Sequence, residues 1–268
     1  MFRVEWMKAL RRWRTYLIAA ALAAIPIVMV IALKLSPPTG PNQGEGPPFL
    51  DQILANGLFA ALTGLIVIQP FFLPLATGLF AGDSVAGEAQ GGTLRYLLIR
   101  PVPRPRLVVA KYASAMTLLA TMLVLVVVSG VIAGGIVFGL HPIVTLSGTT
   151  LSMEQSVLRM LETACYMVLA VSGLAALGVF ISTQTDSGPG AAVATIIVAI
   201  TSEILDNISS LHAIQGFLPT HGWQAFIGLF RAPVDWAPMR SGLAISLAYT
   251  IVFLGAAIYR FSRRDIAS

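Results

Sequence analysis

Charged side chains are scarce: of 268 residues, 11% are Asp, Glu, Lys or Arg, against about 25% in an average soluble domain. A soluble globular enzyme fits that shortage poorly. Cysteine is nearly missing too, and the single Cys165 excludes both a disulfide framework within the chain and a multi-cysteine metal site. Lysine occurs only as Lys8, Lys34 and Lys111, preceded by Met, Leu and Ala. A phosphate loop requires Gly-Lys-Ser or Gly-Lys-Thr, whose amides and ammonium hold the phosphates, so none is encoded. His-Glu-x-x-His does not occur, and Ser84 sits in Gly82-Asp-Ser-Val-Ala86 without the closing glycine of a nucleophile turn. Covalent and zinc-dependent hydrolysis therefore lack their residues.

Apolar residues are abundant instead, at 56% of the chain, which excludes disorder and indicates a polytopic membrane protein. A helix needs about 20 mostly apolar residues to cross roughly 30 Å of hydrocarbon. The charge-free stretches are 15–33, 52–82, 112–153, 163–185, 187–202, 207–230 and 241–259. The sixth carries Asn207, Ser209, Ser210, His212, Gln215, His221 and Gln224, too many polar groups for a helix facing lipid. The fold class that follows is an all-α integral membrane protein. Six transmembrane helices are expected at about 15–35, 53–80, 112–140, 160–182, 187–206 and 241–260, forming one membrane domain over 15–260. Residues 207–240 read as an outer loop with a candidate re-entrant segment before the sixth helix. The apolar run after Arg14 exceeds the roughly 7–15 residues of a signal-peptide core and ends in Lys34 without a cleavage site.

Basic residues set direction. With the N-terminus inside, the cytoplasmic side holds thirteen: Arg3, Lys8, Arg11, Arg12, Arg14, Arg95, Arg100, Arg104, Arg106, Lys111, Arg260, Arg263 and Arg264. The outer side holds four: Lys34, Arg159, Arg231 and Arg240. The net charge of +5 is thereby explained by topology, with no nucleic acid partner required. Residues 261–268 form a cytoplasmic tail. Residues 1–14 read as an amphipathic interfacial helix, with Phe2, Trp6, Leu10 and Trp13 on one stripe and Trp6 and Trp13 as interfacial anchors. Lys111 is expected to anchor the start of the third span. The segment 36–51, with five prolines and three glycines, is a connector.

The cytoplasmic loop 81–111, AGDSVAGEAQGGTLRYLLIRPVPRPRLVVAK, is the most informative segment. Asp83 is placed to cap a short helix through Glu88, Gly91 and Gly92 to break it, and Thr93 to cap a second helix, Leu94–Ile99, that the prolines end. The second helix gathers Leu94, Leu97 and Leu98 on one side, an apolar face that needs a partner. Here the sequence resembles the type-2 class of ATP-binding-cassette (ABC) exporter permeases. The resemblance lies in Asp83-Ser-Val-Ala-Gly-Glu88, Gly92-Thr-Leu-Arg-Tyr-Leu-Leu98, Pro101-Val-Pro-Arg104 and Lys111. It implies an elbow helix, a coupling helix docked on a separate ATPase subunit in two copies, a second or related permease copy, and a prokaryotic plasma membrane. ATP and Mg would be bound by the ATPase, with no cofactor in this chain. Asp83, Glu88, Gly92, Thr93, Arg95 and Arg104 would bear on that contact.

Other features have several readings. Glu203 and Asp206, three apart, share a face at the outer end of span five, either lining a pathway or solvated at the interface. Arg159 and Glu162 are spaced to pair. His212 and His221 near Asp206 are outer-loop polar residues or, less simply, metal ligands. Gly130 with Gly134 and Gly135 with Gly139 permit close helix approach within or between chains. Pro70 and Pro74 should kink span two. An ion-gradient-driven carrier is the competing function, though it would show internal repeats and acids at mid-membrane. A non-transporting scaffold for an ABC ATPase is the third.

Overall fold

The computed structural model describes residues 2–36, 51–92 and 103–263. They form α1 (Phe2–Leu10), α2 (Trp13–Leu35), α3 (Leu58–Ile68), α4 (Phe72–Thr77), α5 (Asp83–Gln90), α6 (Arg104–Phe138), α7 (Met153–Ala170), α8 (Ser172–Gln184), α9 (Gly188–Asp206) and α10 (Ala237–Arg263), with short 3₁₀ turns between them. A single π-turn, Gly78–Gly82, joins α4 to α5. No strand occurs among the described residues. The expectations for 37–50, for Thr93 and Arg95, for the second loop helix and for the tail beyond Arg263 fall outside the described residues.

Five described helices are long and apolar enough to cross a membrane: α2, α6, α7 with α8, α9 and α10. The pair Leu58–Ile68 and Phe72–Gln90 passes the same test only when joined across a 67° bend. The bend falls at Gln69–Phe71, where Pro70 removes an amide from the ladder. Where a span is expected at 53–80, the chain forms this bent pair, which starts at Leu58.

Small residues decide the tightest packing. A Cβ on Gly134 would run into the Gly57 carbonyl oxygen, and one on Gly130 would lie 2.6 Å from the Ala61 Cα. The Gly-x-x-x-Gly pair thus brings α6 onto α3 and the turn before it, within the chain. Gly135 and Gly139 do otherwise, meeting Leu140 and His141 beyond the helix end.

Several boundaries depart from expectation for identifiable reasons. The N-terminal helix does not run through 1–14. It ends at Leu10, and Arg12 takes an extended backbone before α2 begins at Trp13. Helix α6 begins at Arg104, two turns before Tyr112, with Pro105 in the first turn where its missing N–H costs nothing. Helix α7 begins at Met153 because Ser152 and Gln155 form a reciprocal capping box. Only Val171 separates it from α8, and beside it the Ala170 carbonyl accepts from Trp223 Nε1 and Ser246 Oγ. The segment 207–240 is no free loop: Trp223, Phe226 and Phe230 are fully buried, packing against α7 and α10.

Candidate functional site

Helix α5, in the second half of the bent pair, is held from four directions. The amides of Val85 and Ala86 in its first turn both donate to Ser182 Oγ of α8 at 2.9 Å. Gln90 Oε1 accepts from the Gly188 amide at the start of α9 at 3.0 Å. From α6, Lys111 Nζ reaches Glu88 Oε2 at 2.7 Å and donates to the Ser84 carbonyl at 2.7 Å. From the N-terminal segment, Lys8 Nζ stands 3.3 Å from Glu88 Oε1, and an Arg12 amino group 3.0 Å from Asp83 Oδ2.

Glu5 closes the network, receiving Lys111 at 3.3 Å and Lys8 at 3.4 Å. Lys111 is 3% exposed and Glu88 6%, so neither charge is tolerable alone and each stabilises the other. Burial pushes the Glu5 carboxyl up, but Lys111 and Lys8 outweigh it and hold the group below its ordinary range. Burial likewise disfavours the charged Lys8, yet Glu88 and Glu5 raise its pKa above the ordinary value.

This geometry revises several expectations. Asp83 does not cap α5, because Gly82 before it is already helical; its carboxylate faces Arg12 instead. Glu88 points into the network rather than outward. Lys111, expected at the start of the third span, is buried in the same network. Trp6 is half-buried, whereas Trp13 is exposed. Gly92 ends the segment with φ +67° in open space, a left-handed turn suited to glycine. Arg104 donates to the Ser262 carbonyl at 2.9 Å, tying the start of α6 to the last turn of α10. Glu5, Ser182 and Gln90 were not singled out from the sequence. Glu5 and Lys8 are three apart on α1, the one local signal that a charged face was there.

Helix α9 runs from Gly188, beside α5, to Asp206, about 27 Å away at 1.5 Å per residue. At that far end Glu203 and Asp206 line a polar cleft with Thr220, His221 and Gln224. Asp206 Oδ1 lies 2.7 Å from His221 Nδ1, and His212 Nδ1 lies 3.2 Å from Gln215 Oε1. Arg159 and Glu162 pair at 3.0 Å.

A family model described as ABC-2 family transporter protein matches residues 1–201, a stretch that includes α1 through most of α9 and the whole ion-pair network. No curated protein matches the chain.

Proposed function

Because the chain belongs to the ABC-2 transporter family, we propose that it is the transmembrane permease subunit of an ATP-driven exporter. Its broken span and the segment after it couple to a separate ABC ATPase. The bent pair counts as one crossing in this reading, giving six spans with both termini in the cytoplasm, as the basic-residue asymmetry favours. Two ATPase subunits would dock beneath two permeases, a second copy of this chain or a related one. ATP and Mg belong to the ATPase.

The observation that carries the reading is the attachment of α5. The chain that follows Gly91 and Gly92 is the expected ATPase contact, through Thr93, Arg95 and neighbouring Arg104. A displacement there would be passed through α5 to α1, α6, α8 and α9 together, because ion pairs or hydrogen bonds join it to each. Such joined elements move between discrete arrangements instead of deforming smoothly. Asp83 and Glu88 act on the ATPase contact by holding α5 in register, not by touching the partner. Gly92 supplies the turn that lets the chain leave.

At the far end of α9, Glu203 and Asp206 would offer polar or cationic cargo an exit cleft. In proteoliposomes, the purified chain alone is expected to hydrolyse no ATP, and hydrolysis should appear on adding its ABC ATPase. Robust hydrolysis by the single chain would sink the proposal. In the same assay Glu203→Gln should reduce cargo-stimulated hydrolysis, and an unchanged response at normal expression would remove Glu203 from the path.

A further inference from the structure

Gln69 stands at the bend of the second span, about 16 Å along the helix from Leu58 and so near the middle of roughly 30 Å of hydrocarbon. Its side chain is fully buried. The amide Nε2 donates to the Trp223 carbonyl and to Met167 Sδ, both at 3.3 Å, while Oε1 meets no donor among the described residues. An apolar side chain would fill the same space without the cost of burying an incompletely matched amide. What Gln69 adds is a direct bond from the bend to segment 207–240.

On one side of that bond lies a rod. Phe72–Gln90 runs on through the π-turn without a break for about 27 Å at 1.5 Å per residue, and its inner end sits in the ion-pair network. On the other side lies the wall of the outer cleft. Trp223, with Thr220, His221 and Gln224, faces Glu203 and Asp206 of α9 across a space of about 380 Å³. This wall is tied to α9 by Thr220 Oγ1 against Ser202 Oγ at 2.6 Å and by the pairing of His221 with Asp206. It is tied to α7 by the Tyr166 hydroxyl, which donates to the Gly222 carbonyl, and by Trp223 Nε1, which donates to the Ala170 carbonyl. Gln69 ties it to the bent span.

We propose that Gln69 is a positioning residue for transport, carrying displacement of α5 to the wall of the outer cleft. The inference rests on the reading of α5 as the element an ATPase moves and of the cleft as the outer end of the path. At their inner ends α9 and α5 are joined through Gly188 and Gln90, so both helices start a displacement together. They then differ, because α9 is unbroken while the second span turns by 67° at Gln69–Phe71. Rotation of the rod about this bend shifts Gln69 relative to the far end of α9. The stretch 220–224, held by both, follows one and is drawn off the other, and the cleft between them changes width. Packed elements of this kind exchange one discrete arrangement for another.

The test is the rate at which a hydrophilic maleimide labels Gln224→Cys, in a chain carrying Cys165→Ser and reconstituted with its ABC ATPase in nanodiscs, where both faces are open to reagents. Gln224 is exposed on the cleft wall. A non-hydrolysable ATP analogue should change the labelling rate about fivefold, the lower end of ordinary coupling. Gln69→Met, close in shape but without a donor, and Gln69→Asn, one methylene too short, should each remove most of that change. In separate chains with the same Gln69 variants, the ATPase cross-link from Arg95→Cys should still respond to the analogue, which a general loss of structure would not allow. Tyr166→Phe, which removes a bond to the same stretch from α7 and not from the bent span, should keep the outer response. A full response in either folded Gln69 variant, an equal loss in Tyr166→Phe, or no response with Gln69 in place would overturn the proposal. If adding the chain still elicits hydrolysis by the ATPase in those cases, the permease reading stands and the link through Gln69 alone falls.

Discussion

Lys111 holds an ammonium at a position almost closed to water, with Glu88 at 2.7 Å and Glu5 at 3.3 Å. Replacing one member of such a set strands the others, which typically costs about 3–5 kcal/mol. Lys111→Met is therefore expected to lower the thermal midpoint of the purified protein sharply. Lys111→Met combined with Glu88→Leu should recover part of the loss, because no uncompensated Glu88 charge then remains. Equal loss in single and double variants would show that the pair is not what stabilises the site. The shifted groups also set a pH window. Glu5 titrates below its ordinary 4.5, so its contribution is present above that value and disappears as pH falls through the lowered pKa. Lys8 titrates above 10.5, so its contribution is complete below that value and disappears as pH rises through the raised pKa. Docking of α1 should be tightest between these limits. Amide exchange of α1, corrected for the intrinsic pH dependence, should rise at both extremes, and a flat profile would contradict the assignment. None of this was legible from Lys111 itself. Its flanking apolar run suggested an interfacial lysine, and its nearest carboxylates arrive from residues 106 and 23 positions away.

Helices α3 and α6 approach through Gly57, Gly130 and Gly134 with no space for a side chain. Gly134→Leu should force them apart and destabilise the fold by about 1–3 kcal/mol or more, as overpacking does. Gly255 on α10 faces open space, so Gly255→Ala should be neutral or stabilising by up to about 1 kcal/mol. Thermal unfolding in one detergent compares the two directly, and similar midpoints would refute the packing argument. The glycine spacing was readable in the sequence, but its partner was not, because period alone cannot distinguish contacts within a chain from those between chains. Pro70 marked the break in the second span through local chemistry. The hydrogen bonds that Trp223 and Ser246 make to the Ala170 carbonyl had no such mark, since both donors are remote in sequence. The burial within segment 207–240 did have a sign in the sequence. Its polar residues were weighed, yet Trp223, Phe226, Leu229 and Phe230, three and four apart, formed an apolar stripe that foretold burial.

For the molecule as a whole, apolar run length and the positions of basic residues were enough to indicate an all-helical membrane protein. Membership of the ABC-2 family agrees with the motif read in the 81–111 loop. What pattern could not supply was the convergence of α1, α6, α8 and α9 on α5, which depends on three-dimensional packing between distant segments. In the proposed function, that convergence is what would carry a partner's motion from α5 to the bundle. The most direct measurement is cross-linking from a single introduced cysteine at Arg95, in a chain whose native Cys165 has been replaced by Ser. With the ABC ATPase and membranes present, Arg95→Cys should form an adduct with the ATPase, its yield changing when a non-hydrolysable ATP analogue is added. If that cysteine reacts only with membrane-impermeant reagents applied from outside the cell, and yields no ATPase adduct, the coupling role of this segment is wrong.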